Sequence, residues 1–295
     1  MSISAVAAAA EPTRVPGRLR RAAGGLAGLG PLGITALAVC VLLALLAILA
    51  PLLAPHDPNA VSLSQAYQGS SAQHLLGTDS NGRDLLSRLI IGSRTSLVGP
   101  LLVTVMAAVV GAVLALLCAW FGGWVDATIS RVLDILFSFP GLLLAVVAVA
   151  IFGRGLPAAI IALGISYIPY HARVTRSAAV RERSLPYVSA LHVQGFSGLR
   201  ICVRNILPNV LPLIAAHATV AFGYAMIDLA AIPFLGLGVQ PPTADWGSMV
   251  STGEPGILSG HPQESLFAGI MIVIAVAAFN VLGERLSDAQ QGTAR

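Results

Sequence analysis

The sequence predicts an all-α membrane protein with six transmembrane helices, and three observations carry that prediction. The 295 residues are 56% hydrophobic and only 10% charged, with a mean hydropathy of +0.83, whereas soluble domains are about a quarter charged. Six uncharged runs each have the length of a helix crossing a hydrocarbon core of about 30 Å, and none shows the alternation a membrane barrel with a polar lumen needs. The arginines flank these runs with a one-sided bias. A soluble chain would have to bury nearly every segment, and a disordered one needs low hydrophobicity and high charge.

The elements follow in order. Residues 1–33 form a tail carrying Arg14, Arg18, Arg20 and Arg21. The first span, Ile34–Leu53 within 34–54, is longer than the roughly 7–15 apolar residues of a signal peptide and lacks a small-x-small cleavage site, so it reads as a retained helix. Residues 55–94 are an external segment, in which Asn81-Gly82 makes a turn and Asp84 caps an amphipathic helix, Leu85–Ile91, resting at the membrane face. Asp79, Asn81 and Asp84 hint at a calcium loop, but Ile90 stands where such a loop needs a chelating Glu.

Five further runs, Thr95–Val125, Ile135–Gly153, the shorter Gly155–Ala172, Ile206–Ile227 and Leu266–Gly283, make a five-helix core over 95–286, with a short tail at 287–295. Pro140, Pro208, Pro212 and Pro233 are expected to kink or interrupt spans, and Gly111, Gly122, Gly123 and Gly164 to permit close helix packing. Placing both termini in the cytoplasm leaves only Arg83, Arg88, Arg94 and Arg154 outside. The last outer loop, Gly236–Ser265, holds Asp245, Glu254 and Glu264 and no Arg.

Composition also excludes chemistry. All 17 basic residues are Arg, and without Lys there is neither a Walker-A phosphate loop nor a Schiff-base enzyme. No catalytic residue is assigned, and any ATP that drives this protein is bound by another chain. Arginines that flank spans instead of forming one basic stripe argue against nucleic acid and for lipid. Cys40, Cys118 and Cys202 read as packing residues, and His171, His192 and His217 lack metal-ligand spacing.

The hydrophilic stretch 175–209 is the most informative. Ser184 is expected to cap a short helix whose first turn holds Pro186, with Gly195 closing it in a left-handed conformation. Tyr187, Val188, Leu191 and Gln194 fall on one apolar face that needs a docking surface. A second helix starts near Ser197. In the membrane runs, Asp228 at the far end of the fifth span is an intramembrane carboxylate, open to two readings: proton coupling, or a place facing a partner subunit or a wet pathway. Asp134 is expected to pair with Arg131 at a helix end.

Pro186-Tyr-Val-Ser-Ala-Leu-His-Val-Gln-Gly195, followed by Arg204-Asn-Ile-Leu-Pro-Asn209, resembles the EAA loop of ABC importer permeases. Ala190, Gly195, Leu207 and Pro208 fit that pattern; Ser189 stands where the family has Glu, Leu191 where it has the second Ala, and Asn205 replaces its Ile. The segment from His74 to Leu97 and Phe234-Leu-Gly-Leu-Gly-Val-Gln-Pro-Pro-Thr-Ala-Asp-Trp-Gly247 resemble dipeptide/oligopeptide/nickel-type permeases, and the likeness points to the C-type member of their two-permease pair.

The resemblance implies an inner-membrane permease whose coupling loop, 175–207 with Tyr187, Ser189, Ala190, Leu191, Gly195, Leu207 and Pro208, meets the ATPases. It implies a second permease subunit, two cytoplasmic ATPase subunits that bind ATP and Mg, an external solute-binding protein, and no cofactor on this chain. Short peptides are the implied substrate, with nickel or a nickel chelate as the alternative. A proton-coupled carrier working through Asp228 is the rival from another class, and a non-transporting scaffold leaves the loop unexplained.

Overall fold

The computed structural model describes residues 29–153 and 155–293. Most of the 1–33 tail, the final residues of the 287–295 tail and Arg154 lie outside the described residues. The first helix, α1, spans Gly30–Leu53. Its successor α2 runs unbroken for 37 residues, Leu85–Phe121, started by the Asp84 carboxylate accepting from the Ser87 amide. The amphipathic helix expected at Leu85–Ile91 is therefore the first two turns of α2. It does not rest at a membrane face either, because Leu85, Ser87, Arg88 and Leu89 are buried in the protein.

Gly122 and Gly123, both at positive φ, end α2 and open α3, Gly123–Phe137. Pro140 has no amide hydrogen to continue that helix, so α4, Gly141–Phe152, starts afresh at 79° to it. The run expected as one span over Ile135–Gly153 is thus broken at 138–140. At about 1.5 Å per residue, α4 covers only about 18 Å. The fifth helix, α5 (Leu156–Arg183), extends a full eleven residues beyond the predicted span end at Ala172. Two short helices follow, α6 (Pro186–Val193) and α7 (Gly198–Ile201), then a π-helical turn at Cys202–Ile206 that leads into α8, Leu207–Ala231. After it come α9 (Trp246–Thr252), α10 (Glu254–Leu258) and α11 (Gln263–Thr293).

Among the described residues, four helices are long and apolar enough to cross a membrane, and the bent α3–α4 pair makes a fifth if counted as one span. The predicted six is not reached on this measure because the second half of α5 carries His171, Arg173, Arg176, Arg181 and Arg183. Exposed Leu42, Ile48, Leu52, Phe152 and Val273 suit lipid or another membrane subunit, not water.

At the centre, α2 packs against α5 at backbone distance: a Cβ at Gly111 would lie 2.8 Å from that of His171. On its other flank α8 packs on α11, where Phe222 and Phe279 stack with centroids 3.9 Å apart. Two acid–base pairs fasten α3 to α5. Asp126 takes both arms of Arg176, and Asp134 accepts from Arg173 at 2.6 Å. The latter replaces the pairing with Arg131 expected from sequence, because the bend at Pro140 folds α3 across the middle of α5.

At the end opposite α6, the segment before α2 folds into a polar knot. Asp79 Oδ1 accepts from the amides of Asn81 and Arg83, and its Oδ2 accepts from Arg83 Nε at 2.6 Å. Those bonds occupy the carboxylate a calcium loop would need. The stretch 236–265 is not one exposed loop: Trp246 and Met249 are fully buried, the Trp246 indole donates to the Leu89 carbonyl at 2.8 Å, and Ser96 Oγ bonds Asp245 at 2.7 Å. Burial pushes the Asp245 carboxyl above the ordinary aspartate range. Thr243 remains exposed.

Candidate functional site

Ser184 closes α5 by donating to the Arg181 carbonyl at 2.7 Å, so it is the end of one helix and not the cap of the next. Leu185 turns extended, and Pro186, whose missing amide hydrogen costs nothing in a first turn, begins α6. The helix stops where Gly195 adopts φ +82°. There Phe196 N–H donates to the Leu191 carbonyl at 3.2 Å and Gly195 N–H to His192 at 3.0 Å, which satisfies carbonyls that would otherwise be left open. Ser197 precedes α7.

The α6 faces separate cleanly. Val188 is buried, and Tyr187 and Leu191 pack beside it on Ala119, Ala179, Ile201 and Ile206. This chain itself supplies the surface for that apolar face. Gln194, expected on the same face, is exposed, because α6 has ended at Val193 and the chain no longer follows the helical path. Ser189, Ala190 and Val193 point the other way, with Val193 88% exposed. Leu207 packs with Val210 and Ile214, and Pro208 sits exposed in the first turn of α8.

Glu182 holds this segment together. Its Oε1 accepts from Tyr187 Oη at 2.8 Å and from Asn209 Nδ2 at 2.6 Å, which joins α5, α6 and α8 at one oxygen. Partial burial, then the carboxylate beside it, pushes the Tyr187 hydroxyl up to about 12. Sequence reasoning passed over Glu182, although it is the one acidic residue between Arg173 and Asn209.

A second feature lies where α5 and α8 meet the bend after α3. A cavity of about 650 Å³ is walled by Phe137, Phe139, Tyr167, Tyr170 and Tyr224, and Asp228 lines it. Tyr167 Oη donates to Asp228 Oδ2 at 2.9 Å, and Tyr170 Oη lies 3.0 Å from His217 Nδ1. Residues 217, 224 and 228 are seven and four apart and so share one face of α8. Tyr167 and Tyr170 match them across α5, leaving polar groups on one stripe through otherwise apolar helices. Asp228 is a carboxylate on a cavity wall, and nothing in its surroundings resembles a metal site.

At the far end, His56, His74 and Asp84 bring one donor atom each to within 4.8 Å, close enough to hold an ion. His74 Nδ1 lies 3.0 Å from Asp84 Oδ1, while Asp84 Oδ2 is committed to Ser87 at the start of α2. Although burial opposes it, the bonds from Ser87 and His74 hold the Asp84 carboxyl below the usual aspartate range. His171, His192 and His217 are not part of this group.

Comparison with known proteins places this architecture. Residues 107–292 match the family described as binding-protein-dependent transport system inner membrane component, and residues 31–70 match the N-terminal transmembrane domain of oligopeptide transport permease C. The chain belongs to this family of inner-membrane transport permeases. It is therefore a multi-pass transport component and not an enzyme.

Similar relatives include the dipeptide transport system permease protein DppC of Alkalihalophilus pseudofirmus, 39% identical over 81% of this chain and 78% of that protein. The di/tripeptide transport system permease protein DppC of Pseudomonas aeruginosa is 40% identical over 81% and 80%. The glutathione transport system permease protein GsiD of Pectobacterium atrosepticum is 36% identical over 80% and 79%. Among solved structures, an inward-facing form of the MetNI methionine ABC transporter aligns with TM-score 0.55 over 72% of this chain and 98% of that one, at 20% identity, a likeness of fold.

Proposed function

We propose that the chain is one transmembrane half of an ATP-driven importer of short peptides. It would pair with a second permease subunit, receive peptide from an external solute-binding protein, and take its power stroke from two cytoplasmic ATPase subunits that carry the ATP and Mg. The observation that carries this reading is α6. It is a helix too short to stand alone, pinned to its own chain by Tyr187, Val188 and Leu191, with Ser189, Ala190 and Val193 left facing outward. A carrier working alone has no use for such a part.

Six crossings follow if the α3–α4 pair counts as one and α5 as another, with Arg173 and Arg176 of its polar half paired to α3. The arginine bias then sets α6 and both termini in the cytoplasm, with the Asp84 knot and Thr243 outside. Asp228, Tyr167 and Tyr224 line the pathway in this reading. Peptide is favoured over nickel because the relatives above are dipeptide, di/tripeptide and glutathione permeases. The test is uptake of a labelled dipeptide into vesicles holding the whole complex. Uptake should need ATP and survive a protonophore, whereas uptake that collapses with the proton gradient while ATP persists would favour the carrier.

A further inference from the structure

Among the described residues, no cation stands beside Asp228. Its sole hydrogen-bond partner among them is the neutral Tyr167 hydroxyl, and no ion pair reaches it. The α5 arginines nearest Tyr167 in sequence are engaged elsewhere, Arg173 with Asp134 and the Phe137 ring, and Arg176 with Asp126. A carboxylate held within a membrane without a compensating charge is costly. The cost falls when a positive group enters.

The walls choose the kind of positive group. Phe139, Tyr167, Tyr170 and Tyr224 present aromatic rings along the cavity, Phe137 being already covered by the Arg173 guanidinium at 4.5 Å, and ring faces attract ammonium ions. Anions are repelled by Asp228, and beyond that one carboxylate the lining offers a hard metal ion only neutral hydroxyls, too few charged oxygens to replace its hydration shell. At about 650 Å³ the cavity lies within the roughly 300–1,000 Å³ of small-molecule sites, room for a short peptide.

We infer that Asp228 with its aromatic cage is a subsite for a primary ammonium group of the transported peptide; this rests on the peptide-importer reading. Two sources carry that chemistry, the peptide N-terminus and a lysine side chain. Binding needs no covalent step: the ammonium donates to Asp228 Oδ1 while Tyr167 keeps Oδ2 in place.

Saturation-transfer NMR on the assembled permease–ATPase complex, with no binding protein present, reads this subsite without the binding protein's own selectivity. The probes are dialanine, N-acetyl-alanyl-lysine amide and N-acetyl-dialanine. Dialanine should bind the wild type, and Asp228→Asn should weaken it about tenfold, while N-acetyl-dialanine binds no better to wild type than to the variant. Tyr167→Phe, which keeps carboxylate and ring, should weaken dialanine only about threefold. Asp228-dependent binding of the lysine probe would make any primary ammonium a ligand, and its absence would restrict the subsite to the N-terminus.

Equal weakening of dialanine and N-acetyl-dialanine by Asp228→Asn, or dialanine binding that ignores Asp228, overturns the inference. ATP-driven uptake of dialanine is measured separately, in vesicles holding the complex with its solute-binding protein restored. Uptake without Asp228-dependent binding removes the subsite and leaves the importer; Asp228-dependent binding without uptake leaves the ammonium subsite and removes the peptide-import reading.

Discussion

Tyr187 donates its hydroxyl to Glu182 at 2.8 Å, and that bond fixes the angle at which α6 leaves the end of α5. Because Asn209 donates to the same oxygen, a push on α6 is delivered to α5 and α8 together, and α8 carries Asp228. Movement at α6 would thereby reach both helices that wall the cavity.

Breaking that bond is expected to loosen coupling before it loosens the fold. Tyr187→Phe removes a partly exposed hydrogen bond with a net worth of about 1 kcal/mol and leaves the ring on Val188. The variant should insert and assemble normally, with more ATP spent per peptide imported. Paired measurement of hydrolysis and uptake checks this, and an unchanged ratio would separate Tyr187 from coupling.

Gly195 at φ +82° has open space around its missing Cβ, so a side chain there meets strain and no clash. Gly195→Val should therefore cost about 1–2 kcal/mol in the backbone of the turn alone. The variant is expected to insert and pair with its sister permease, yet lose substrate-stimulated hydrolysis. Gly195→Asn, which tolerates the left-handed region better, should recover part of it. Equal activity in all three proteins would show the turn to be a plain connection.

The knot before α2 predicts an acid response. The Asp84 carboxyl is held below its ordinary value, so its contribution is present above the unfolded aspartate value of about 3.9 and is lost as pH falls through the lower folded one. Trp246 fluorescence, read with Trp120 and Trp124 replaced by Phe, should report the neighbouring Asp245, whose carboxyl is pushed up, above about 3.9, and show a separate Asp84 step only in stronger acid. Asp84→Asn should remove that acid step. A step at or above the ordinary aspartate value that Asp84→Asn removes would contradict the structure.

Topology is checked at Thr243, exposed beside the buried Asp245–Trp246 corner. A cysteine there, in a chain whose own three buried cysteines are replaced, should react with an impermeant thiol reagent added outside intact cells. Reaction only after the membrane is opened would reverse the orientation.

Much of this was legible in the sequence where one local rule decides the outcome. Asp84 caps a helix, Gly195 takes positive φ and Pro140 interrupts a run, each from chemistry within a few residues. What escaped depends on distant partners. No local signal tells that Trp246 reaches the carbonyl of Leu89, that Arg173 and not Arg131 meets Asp134, or that Leu85 and Leu89 are buried in one cluster with Trp246 and Met249. Hydropathy alone also overstates α4 and understates α5, because it counts charges without knowing that Arg173 and Arg176 are paired. Asp228 was visible as an intramembrane carboxylate, but its aromatic surroundings come from two helices and a bend far apart in the chain.

The central claim, that α6 receives the ATPases' motion on its outward face, is tested most directly by peptide-stimulated ATP hydrolysis of the full complex carrying Ala190→Glu. Ala190 is exposed in the chain alone, so the glutamate is solvated there and folding proceeds; at a docked ATPase it becomes a buried charge without a partner. Stimulated hydrolysis should fall at least about tenfold while the two permease subunits still insert and pair. Stimulation at the wild-type level, with uptake intact, would contradict the account.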